Sequence, residues 1–576
     1  MHLGISAYFH DSSVALLDDN GDLINFKKEE WVSRIKGDKS FPRLAIHDVL
    51  HTSKIEAGDI KSVTFYEKPM RAWLTVLKHS LVNYGKTNDL TVNYFKSFWK
   101  SSIIFKLDLD KFFDFENADI LYADHHLSHT LSALYYADVG TYNSIVVDGF
   151  GDHTCTSIHH VRSDNNISEL WHSRYPHSIG LFYSAITDFL GFTVNEGEYQ
   201  VMGLAAYGEP KFYELLTETI AFSDGSLILF EKYFDFVHSL QNSYSKELVK
   251  LLGVPARSTN KSLDLDDPNF KIYADIAASA QKIVEDLLCE IFQKAWHLTD
   301  EKKFLFSGGV AMNSVAINVL SKCEFIDRLI VPPSPGDSGA AIGAALYGML
   351  KHTPKENNCI DDRKPCKELF PGRIVQNDDF YELNFKKIAV GTEAITETSK
   401  LIAAGNIIAT CYENIETGPR ALGNRSLICN AHDKSLVETL NTRVKNRSKF
   451  RPTAPAVLEK HADTYFNLSE KIRDCYYFMG AVATPKPTLE NTISGVVHVD
   501  GTCRVQLCKE EDLLGQLLLG LEWYDIHVLA NTSFNIASDP MVYSKEDAFL
   551  ATVRMGIDFL LTETGLYERE VSDETS

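Results

Sequence analysis

The chain has 576 residues, with 57 Lys and Arg against 78 Asp and Glu and a formal net charge of −21. Such acidity argues against broad nucleic-acid binding, which needs extended positive surface, and this length predicts two or three domains. No apolar run approaches the ~18 residues of a membrane span, and residues 1–4 show no signal peptide. Ten cysteines without a Cys-x-x-Cys pair indicate reduced thiols in a cytoplasm and argue against a zinc ribbon.

The N-terminal residues are typical of a strand meander. Strands are predicted at residues 2–8, 13–17 and 23–28, with hairpin turn chemistry in the Asp-Asn-Gly run before the third. A related pattern of strand, Gly-rich turn and strand begins at residue 143, in "NSIVVDGFGDHTCTSIHHV". Two similar sheet openings predict an internal duplication.

Between these openings, "LYADHHLSHTLSALYYA" (121–137) predicts a helix with His125 and His129 four residues apart. Leu127, Leu131 and Leu134 form an apolar stripe, so we expect the histidine pair to lie largely off the buried face. This spacing suits a metal pair, but His126 stands where a zinc protease carries glutamate. From spacing alone, metal ligands and surface histidines without a role both remain open.

Further along, residues 274–299 predict an amphipathic helix, followed by the strand "KFLFSGG" and a helix from about residue 312. The strand "RLIVPP" then leads into the Gly-rich turn and helix of "PSPGDSGAAIGAALYGML", a pattern that α/β proteins use for phosphates and nucleosides. Residues 352–381 are polar and lack periodicity, which indicates an interdomain linker. A second α/β domain (382–576) is predicted to begin with a helix at 395–404 and a strand at 407–411, and to end in a solvated tail.

The second domain contains a strongly basic stretch. Residues 420–451 hold eight cations against Asp433 and Glu438: Arg420, Arg425, Lys434, Arg443, Lys445, Arg447, Lys449 and Arg451. In an acidic chain this predicts a local anion pocket, although a solvated helix face is an equally simple explanation.

If His125 and His129 bind a metal, further ligands must come from elsewhere in the chain. Asp148 and Asp337 each stand at a strand-end turn, where a sheet edge opens into a cleft. Asp152 is a weaker candidate, and Asp124 is expected to be the helix N-cap. Two His and Asp suit Fe(II), Mn(II) or Zn(II), with positions left open for a ligand such as phosphate.

Twelve collinear segments resemble a known family, and they run through nearly the whole chain. They are "FHDSSVALL", "RIKGDKSFP", "DHHLSHTLSALY", "VVDGFGD", "SIGLFYSAITDFLGF", "NEGEYQVMGLAAYGEP", "FSGGVAMN", "PPSPGDSGAAIGAAL", "GPRALGNRSL", "KNRSKFRPTAPAVL", "VDGTCRVQ" and "NTSFN". The chain resembles the O-carbamoyltransferases of antibiotic and nodulation-factor biosynthesis.

The resemblance implies an α/β protein of two domains. Residues 1–351 would have the actin/sugar-kinase/chaperone-like fold with its duplicated sheet, and residues 382–576 a YrdC-like fold. In the family, the YrdC-like domain forms carbamoyl adenylate from carbamoyl phosphate and ATP with Mg²⁺. The N-terminal domain, with a divalent metal expected to be Fe(II), then transfers the carbamoyl group to an acceptor hydroxyl and releases AMP.

The resemblance also assigns residues to roles. The metal ligands would be His125, His129, Asp148 and Asp337, and the catalytic residues of the transfer site His10 and Lys36. Nucleotide-binding positions in the N-terminal domain would be Gly149, Gly308, Gly309 and Asn313. Carbamoyl phosphate and ATP would be bound by Arg420, Lys445, Arg451, Arg504, Asn531 and Ser533, whose cations suit these polyanionic ligands.

This sequence departs from the family pattern at several positions. Gln200 and Ala206 stand where Lys and Pro are usual, Gly37 where His is common, and Thr453 where Phe is common. None of these changes removes an expected metal ligand or phosphate-binding cation. Gln200 does remove a positive charge, which affects the anion or nucleotide contact expected there.

Two alternatives compete with this interpretation. One is an enzyme resembling the tRNA threonylcarbamoyl transferases, against which the net charge and the complete second domain argue. The other is a nucleotide-binding regulatory module without transfer chemistry, against which the intact metal positions and His10 argue. The acceptor is not specified by these motifs, although residues 65–115, rich in aromatic side chains and Lys, are expected to line its pocket. No membrane or nucleic-acid partner is expected, and the oligomeric state is left open.

Overall fold

The computed structural model describes residues 1–82, 105–163, 166–238, 242–258, 263, 265–353, 366, 368–374, 385–445, 450–451, 453–536 and 539–570. The chain divides into two compact units, Met1–Glu29 with Lys39–Lys367 and Glu30–Asp38 with Glu368–Ser576. Most of the predicted linker, part of the 65–115 segment, Arg447 and Lys449 lie outside the described residues.

The first unit contains two five-stranded sheets of the same design. The first sheet has the order β3-β2-β1-β4-β5 and the second β8-β7-β6-β11-β12. In both, three antiparallel strands are followed by two strands parallel to the first. The strands are β1 (His2–Ser6), β2 (Ser13–Leu17), β3 (Leu23–Lys28), β4 (Ser62–Phe65), β5 (Asp119–Tyr122), β6 (Tyr142–Gly151), β7 (Thr154–Val161), β8 (Ile167–Arg174), β11 (Lys303–Ser307) and β12 (Arg328–Ile330), with a separate hairpin of β9 (Ile220–Ser223) and β10 (Ser226–Leu229). The predicted duplication and the α/β class are confirmed.

Helices connect and cover these sheets. They are α1 (Glu29–Ser33), α2 (Arg43–Ser53), α3 (Pro69–Val82), α4 (His125–Tyr135), α5 (Ile179–Phe189), α6 (Glu198–Ala205), α7 (Tyr213–Thr217), α8 (Lys246–Leu252), α9 (Phe270–Thr299), α10 (Ser314–Ser321) and α11 (Asp337–His352), and residues 105–112 are also helical. α11 packs on β1, β2 and β4 of the first sheet, whereas α4 packs on β6, β7 and β11 of the second. Because α4 and α11 also pack on each other, they form the layer between the two sheets.

This layer corrects the expected orientation of α4. His125 and His129 are 2% and 0% exposed, whereas Leu127 of the apolar stripe is only half-buried. The expectation that the histidines lie off the buried face is therefore wrong, because both faces of the helix are covered and its polar groups are bonded inside the protein. His126, for example, pairs its Nδ1 with Ser157 Oγ at 2.7 Å.

The second unit is built on one mixed eight-stranded sheet, in the order β13-β22-β21-β14-β15-β20-β16-β19. Its strands are β13 (Phe385–Ala389), β14 (Ile408–Cys411), β15 (Ser426–Asn430), β16 (Ala454–Leu458), β19 (Gln506–Cys508), β20 (Val528–Ser533), β21 (Phe559–Thr562) and β22 (Gly565–Arg569), and β17 (Phe466–Asn467) pairs with β18 (Thr484–Pro485) apart from it. Its helices are α12 (Gly391–Ala403), α13 (Lys434–Thr439), α14 (Glu459–Tyr465), α15 (Arg473–Tyr476), α16 (Leu513–Leu521) and α17 (Lys545–Met555). Aliphatic side chains of α12, α16 and the sheet form its core.

None of the helices in the described ranges has the length and apolar character needed to cross a membrane. The nine described cysteines are free thiols, and Cys289 and Cys323 place their sulfurs 3.7 Å apart.

Candidate active site: a buried histidine–aspartate cluster

Helix α4 brings its two histidines together at its first turn. His125 Nε2 and His129 Nε2 are 3.2 Å apart, as expected for an i, i+4 pair whose rings point the same way. Gly151 makes room for the His125 ring, since a Cβ at position 151 would lie 2.1 Å from His125 Cδ2. The helix start is held by Asp152, which accepts hydrogen bonds from the backbone N–H of His125 (2.9 Å) and of Lys68 (2.7 Å).

The two weaker candidates therefore have structural roles. Asp152 anchors the first turn of α4 from outside the helix and is not one of the clustered ligand atoms. Asp124 occupies the N-cap position as expected, but its side chain makes no capping bond and instead pairs with Lys68 and Arg71.

Two buried carboxylates complete the cluster. Asp148 lies where the pairing of β6 with β7 is interrupted, and Asp337 is the first residue of α11. Asp148 Oδ2 is 3.4 Å from His125 Nε2 and 3.1 Å from His129 Nε2, and Asp337 Oδ1 is 3.6 Å and 3.3 Å from the same atoms. The structure thus brings together all four side chains that the sequence predicted as metal ligands.

These distances fit a shared cation. A metal about 2.0–2.2 Å from each ligand holds neighbouring ligand atoms about 3.0–3.5 Å apart. Without a cation, two buried carboxylates must be compensated by protons on the imidazoles. Burial lowers the pKa of His125, yet the hydrogen bond to Asp148 and the charges of Asp337 and Asp148 raise it to about 10. Burial raises the pKa of Asp148, but hydrogen bonds from His125 and His129 hold it well below its usual range. The cluster therefore binds positive charge, and a divalent ion would replace those protons.

His10 lies beside this cluster. Its Nε2 is 3.8 Å from Asp337 Oδ2, and its Nδ1 is 3.8 Å from Asp11 Oδ2. Burial lowers the pKa of His10, but the adjacent carboxylate of Asp11 and the charges of Asp337 and Asp148 raise it to about 9. Tyr8 and Asp11 have φ of 79° and 50°, so the loop that presents His10 is held in a strained conformation.

The Gly-rich loops approach the same carboxylates. Gly149 donates its N–H to Asp148 Oδ1 at 2.7 Å. A Cβ at Gly308, whose φ is 92°, would lie 2.3 Å from Val147 O, and one at Gly309 would lie 3.2 Å from Asp148 Oδ1. Gly149 and Gly309 thus lie beside Asp148, and Gly308 is packed so tightly against Val147 that a side chain would not fit there.

Asn313, the fourth position, has a capping role as well. Its Oδ1 accepts from Ala316 N–H at 3.1 Å at the start of α10, and its Nδ2 donates to Gln281 Oε1 at 2.9 Å. Gln281 lies on α9 and is a residue that sequence reasoning missed, since it appeared only as a polar position in an amphipathic helix. Ser178 was missed too: its Oγ donates to the carbonyl of Gly149 at 2.7 Å, which explains the start of the "SIGLFYS" motif.

Lys36 and His10 belong to different compact units of the chain. Lys36 is exposed and belongs to Glu30–Asp38, which the second unit includes. Neighbouring Arg34 donates to the carbonyl of Met541 at 2.7 Å and lies 3.5 Å from Asp547, so the "RIKGD" motif packs with the C-terminal half of the chain. Gln200, on α6, is half-buried.

In the second unit, several predicted anion-binding residues meet at the end of β20. Lys445 is 2% exposed and donates to the carbonyl of Ser533 (2.6 Å), to Asn535 O and to Asn535 Oδ1 (2.8 Å). Asn531, two residues before Ser533, donates to Gln506 Oε1 (2.7 Å) and to Ala421 O (3.1 Å). This last bond connects β20 to the loop that carries Arg420, which is half-buried.

That loop is shaped by a buried acid that sequence reasoning missed. Glu416 is 0% exposed, and its Oε1 accepts from the backbone N–H groups of Leu422 (2.9 Å), Asn424 (3.0 Å) and Arg425 (3.1 Å). Three converging N–H donors mark the turn after "GPR" as a rigid structure.

The basic stretch is not one continuous anion pocket. Arg425 is fully buried and donates to the backbone carbonyls of Tyr412, Glu413, Asn424 and Tyr543, so its role is structural. Lys434 and Arg443 are exposed, as the solvated-face alternative expected. Arg451 and Arg504 are half-buried, and Thr453 Oγ1 donates to Asn441 at 2.9 Å.

Comparison with known proteins places these sites in a family. Residues 1–346 match the family model of the carbamoyltransferase N-terminus and residues 399–569 that of the carbamoyltransferase C-terminus. An uncharacterized protein of Synechocystis, sll1178, is 30% identical, covering 97% of this chain and 95% of its own. Nodulation protein NolNO of Sinorhizobium fredii is 25% identical, covering 98% and 80%.

Among solved structures, HypF of T. kodakarensis aligns with a TM-score of 0.34 and 15% identity, covering 62% of this chain and 49% of its own. The resemblance inferred from the twelve motifs is confirmed by the two family models, which together cover most of the chain. The chain belongs to the carbamoyltransferase family and is a carbamoyltransferase enzyme.

Proposed function

We propose that this enzyme is an ATP-dependent O-carbamoyltransferase that works in two half-reactions. In the C-terminal domain (382–576), water cleaves carbamoyl phosphate to carbamate and phosphate. A carbamate oxygen then attacks the α-phosphate of Mg²⁺-ATP, which forms carbamoyl adenylate and releases pyrophosphate. The N-terminal domain (1–351) transfers the carbamoyl group to an acceptor hydroxyl and releases AMP. The observation that carries the proposal is the buried cluster of His125, His129, Asp148 and Asp337 with His10 beside it, in a chain matched by both family models.

The four cluster residues would hold a divalent metal. Two imidazoles and two carboxylates suit Fe(II), Mn(II) and Zn(II), and the family resemblance favours Fe(II). When bound, the metal supplies Lewis-acid stabilisation of negative charge on a phosphate. Gly149, Gly308 and Gly309 are proposed to leave room for the nucleotide to approach this site, and Asn313 is proposed as a further nucleotide contact.

His10 takes the proton of the attacking hydroxyl in this proposal. A metal held by Asp337 and Asp148 would offset the negative charges that raise the pKa of His10, so the neutral ring could accept this proton. The hydroxyl oxygen forms a bond to the carbamoyl carbon, the bond from that carbon to the phosphate oxygen breaks, and AMP leaves with the electron pair. Asp11 and Asp337, each 3.8 Å from a ring nitrogen of His10, orient the ring and stabilise its protonated form. Lys36 is proposed as a further contact to the carbamoyl group.

In the second half of the chain, Arg420, Lys445, Arg451, Arg504, Asn531 and Ser533 are proposed to bind the two anionic substrates. Support comes from the hydrogen bonds that connect Asn531 to the Arg420 loop and Lys445 to Ser533. A preorganised set of donors stabilises phosphate charge without further reorganisation.

The test separates the half-reactions. The wild-type enzyme with ATP, Mg²⁺ and carbamoyl phosphate should release pyrophosphate, and with a suitable alcohol it should give AMP and a product heavier by one carbamoyl group in mass spectrometry. Arg420→Gln should lose carbamoyl-phosphate-dependent pyrophosphate release. His10→Gln should keep that release and lose about 10²- to 10⁴-fold in transfer. Pyrophosphate release that does not depend on carbamoyl phosphate would contradict the proposal.

A further inference from the structure

A second cluster of metal-binding side chains lies in the C-terminal half of the chain, among residues that no motif singled out. His461 is on α14, Glu522 follows α16, and His527 directly precedes β20. One ligand atom from each lies within 4.8 Å of the others. We propose that His461, Glu522 and His527 bind a divalent transition-metal ion, zinc by preference, at a site separate from the catalytic cluster.

The two histidines are positioned to act as ligands. His461 Nε2 lies 2.8 Å from Glu522 Oε1, and the rings of His461 and His527 stand 4.9 Å apart at 61°. His527 Nε2 lies 3.3 Å from Asp525 Oδ1, whereas its Nδ1 is buried and has no hydrogen-bond partner among the described residues. A histidine that donates Nε2–H to a carboxylate presents a lone pair at Nδ1, which is the arrangement found around protein-bound metals.

A neighbouring lysine competes for the same carboxylate. Lys460 Nζ is 2.9 Å from Glu522 Oε1, but it is also 3.2 Å from Glu510 Oε1. Lys460 is 41% exposed, and an ion pair this exposed to solvent is weak. Glu522 can thus accept a metal while Lys460 keeps Glu510 as its partner.

The donor set indicates the metal. Two imidazoles and one carboxylate suit zinc and neighbouring transition metals, whereas Mg²⁺ and Ca²⁺ prefer oxygen ligands only. All three side chains are half-buried, so water can complete the coordination.

The site would join three elements of one unit. Because His527 immediately precedes β20, a metal there would tie the start of that strand to α14 and to the turn after α16. The far end of β20 carries Asn531 and Ser533, which belong to the proposed anion site. The expected role is structural, and the proposal does not depend on carbamoyl chemistry.

The test is zinc stoichiometry by elemental analysis, after stripping with a chelator, adding Zn²⁺ and dialysing. The chain should retain one zinc equivalent at this site. His461→Gln and His527→Gln should each remove it, whereas Asp148→Asn, in the catalytic cluster, should leave it in place. Asp525→Asn should weaken this zinc about 10- to 100-fold, because it removes the carboxylate that orients His527. His47→Ala is the control for adventitious binding, since exposed His47 and His51 form the i, i+4 pair on α2.

Circular dichroism of each variant shows that it is folded, and Co²⁺ absorption spectra of the wild type and His461→Gln give a second measurement that does not depend on stoichiometry. Zinc content equal to that of the wild type in both histidine variants, or a loss of zinc in His47→Ala, would overturn the proposal, as would a wild-type chain that keeps zinc only through Asp148. The zinc measurements do not depend on the outcome of the ATP and carbamoyl phosphate assays, so the zinc proposal and the proposed function can fail separately.

Discussion

Asp148 has more roles than any other side chain of the catalytic cluster. Its Oδ2 faces both imidazoles at 3.1–3.4 Å, and its Oδ1 accepts from Gly149 N–H. A Cβ added at Gly309 would lie only 3.2 Å from the same carboxylate. One aspartate therefore joins the proposed metal position to two of the glycines proposed to contact the nucleotide.

Asp148→Asn should abolish metal retention at this cluster. The amide keeps the shape of the side chain but removes one of the two negative charges of the cluster. We therefore expect affinity for Fe(II) to fall by about 100-fold or more, a larger loss than is typical when a residue that only contacts a metal ligand is changed. Metal content after anaerobic loading of the Asp148→Asn chain measures this. Asp124→Asn is the matched control, since that carboxylate pairs with Lys68 and Arg71 and should leave the metal in place. Equal metal content in the two variants would contradict the assigned ligands.

At the scale of elements, the catalytic cluster depends on how closely α4 and α11 approach. Gly343 of α11 lies against α4, and a Cβ there would be 1.8 Å from Ser128 O. Gly348, one turn further, faces the hydroxyls of Ser62 and Thr64 on β4 in the same way. His129 and Asp337 come from the two helices, so their 3.3 Å separation is set by this contact.

Gly343→Ala should therefore both destabilise the first unit and weaken its metal site. Overpacking a tight contact costs about 1–3 kcal/mol, and moving the helices apart also separates their ligands. Chemical denaturation and metal content should change together. Gly58→Ala, at a glycine with nothing within 4 Å of its virtual Cβ, is the control and should change neither. Full metal binding by a destabilised Gly343→Ala chain would show that the metal site does not depend on the packing of α4 against α11.

The elements that sequence predicts well are those whose signal is local. β2 and β3 begin and end at the predicted residues, because alternating turn and strand chemistry marks their ends. The orientation of α4 could not be predicted, since the helix carries many hydroxyls and histidines that become buried only when α11 and a second sheet cover it. Likewise, charge alone could not separate structural Arg425 from Arg420, because the carbonyls that bind Arg425 come from distant turns.

For the whole molecule, the two compact units match the two proposed half-reactions except at Glu30–Asp38, which carries Lys36 of the proposed transfer site but belongs to the second unit. Each unit has its own aliphatic core, with Ile5 in one and Leu514 in the other, both fully buried. The net charge of −21 concealed a local basic region whose buried members act through backbone contacts.

If each unit unfolds on its own core, calorimetry should show two transitions that respond to different substitutions. Ile5→Ala and Leu514→Ala each leave a cavity worth about 2–5 kcal/mol, which should lower one transition by about 3–10 °C and leave the other in place. At a temperature between its two transitions, the Ile5→Ala chain should stop carbamoyl transfer but continue carbamoyl-phosphate-dependent pyrophosphate release. The Leu514→Ala chain should lose both activities, because transfer needs the adenylate. A single transition lowered equally by both substitutions, or pyrophosphate release that disappears with transfer in Ile5→Ala, would mean that the half-reactions do not belong to separately folded units.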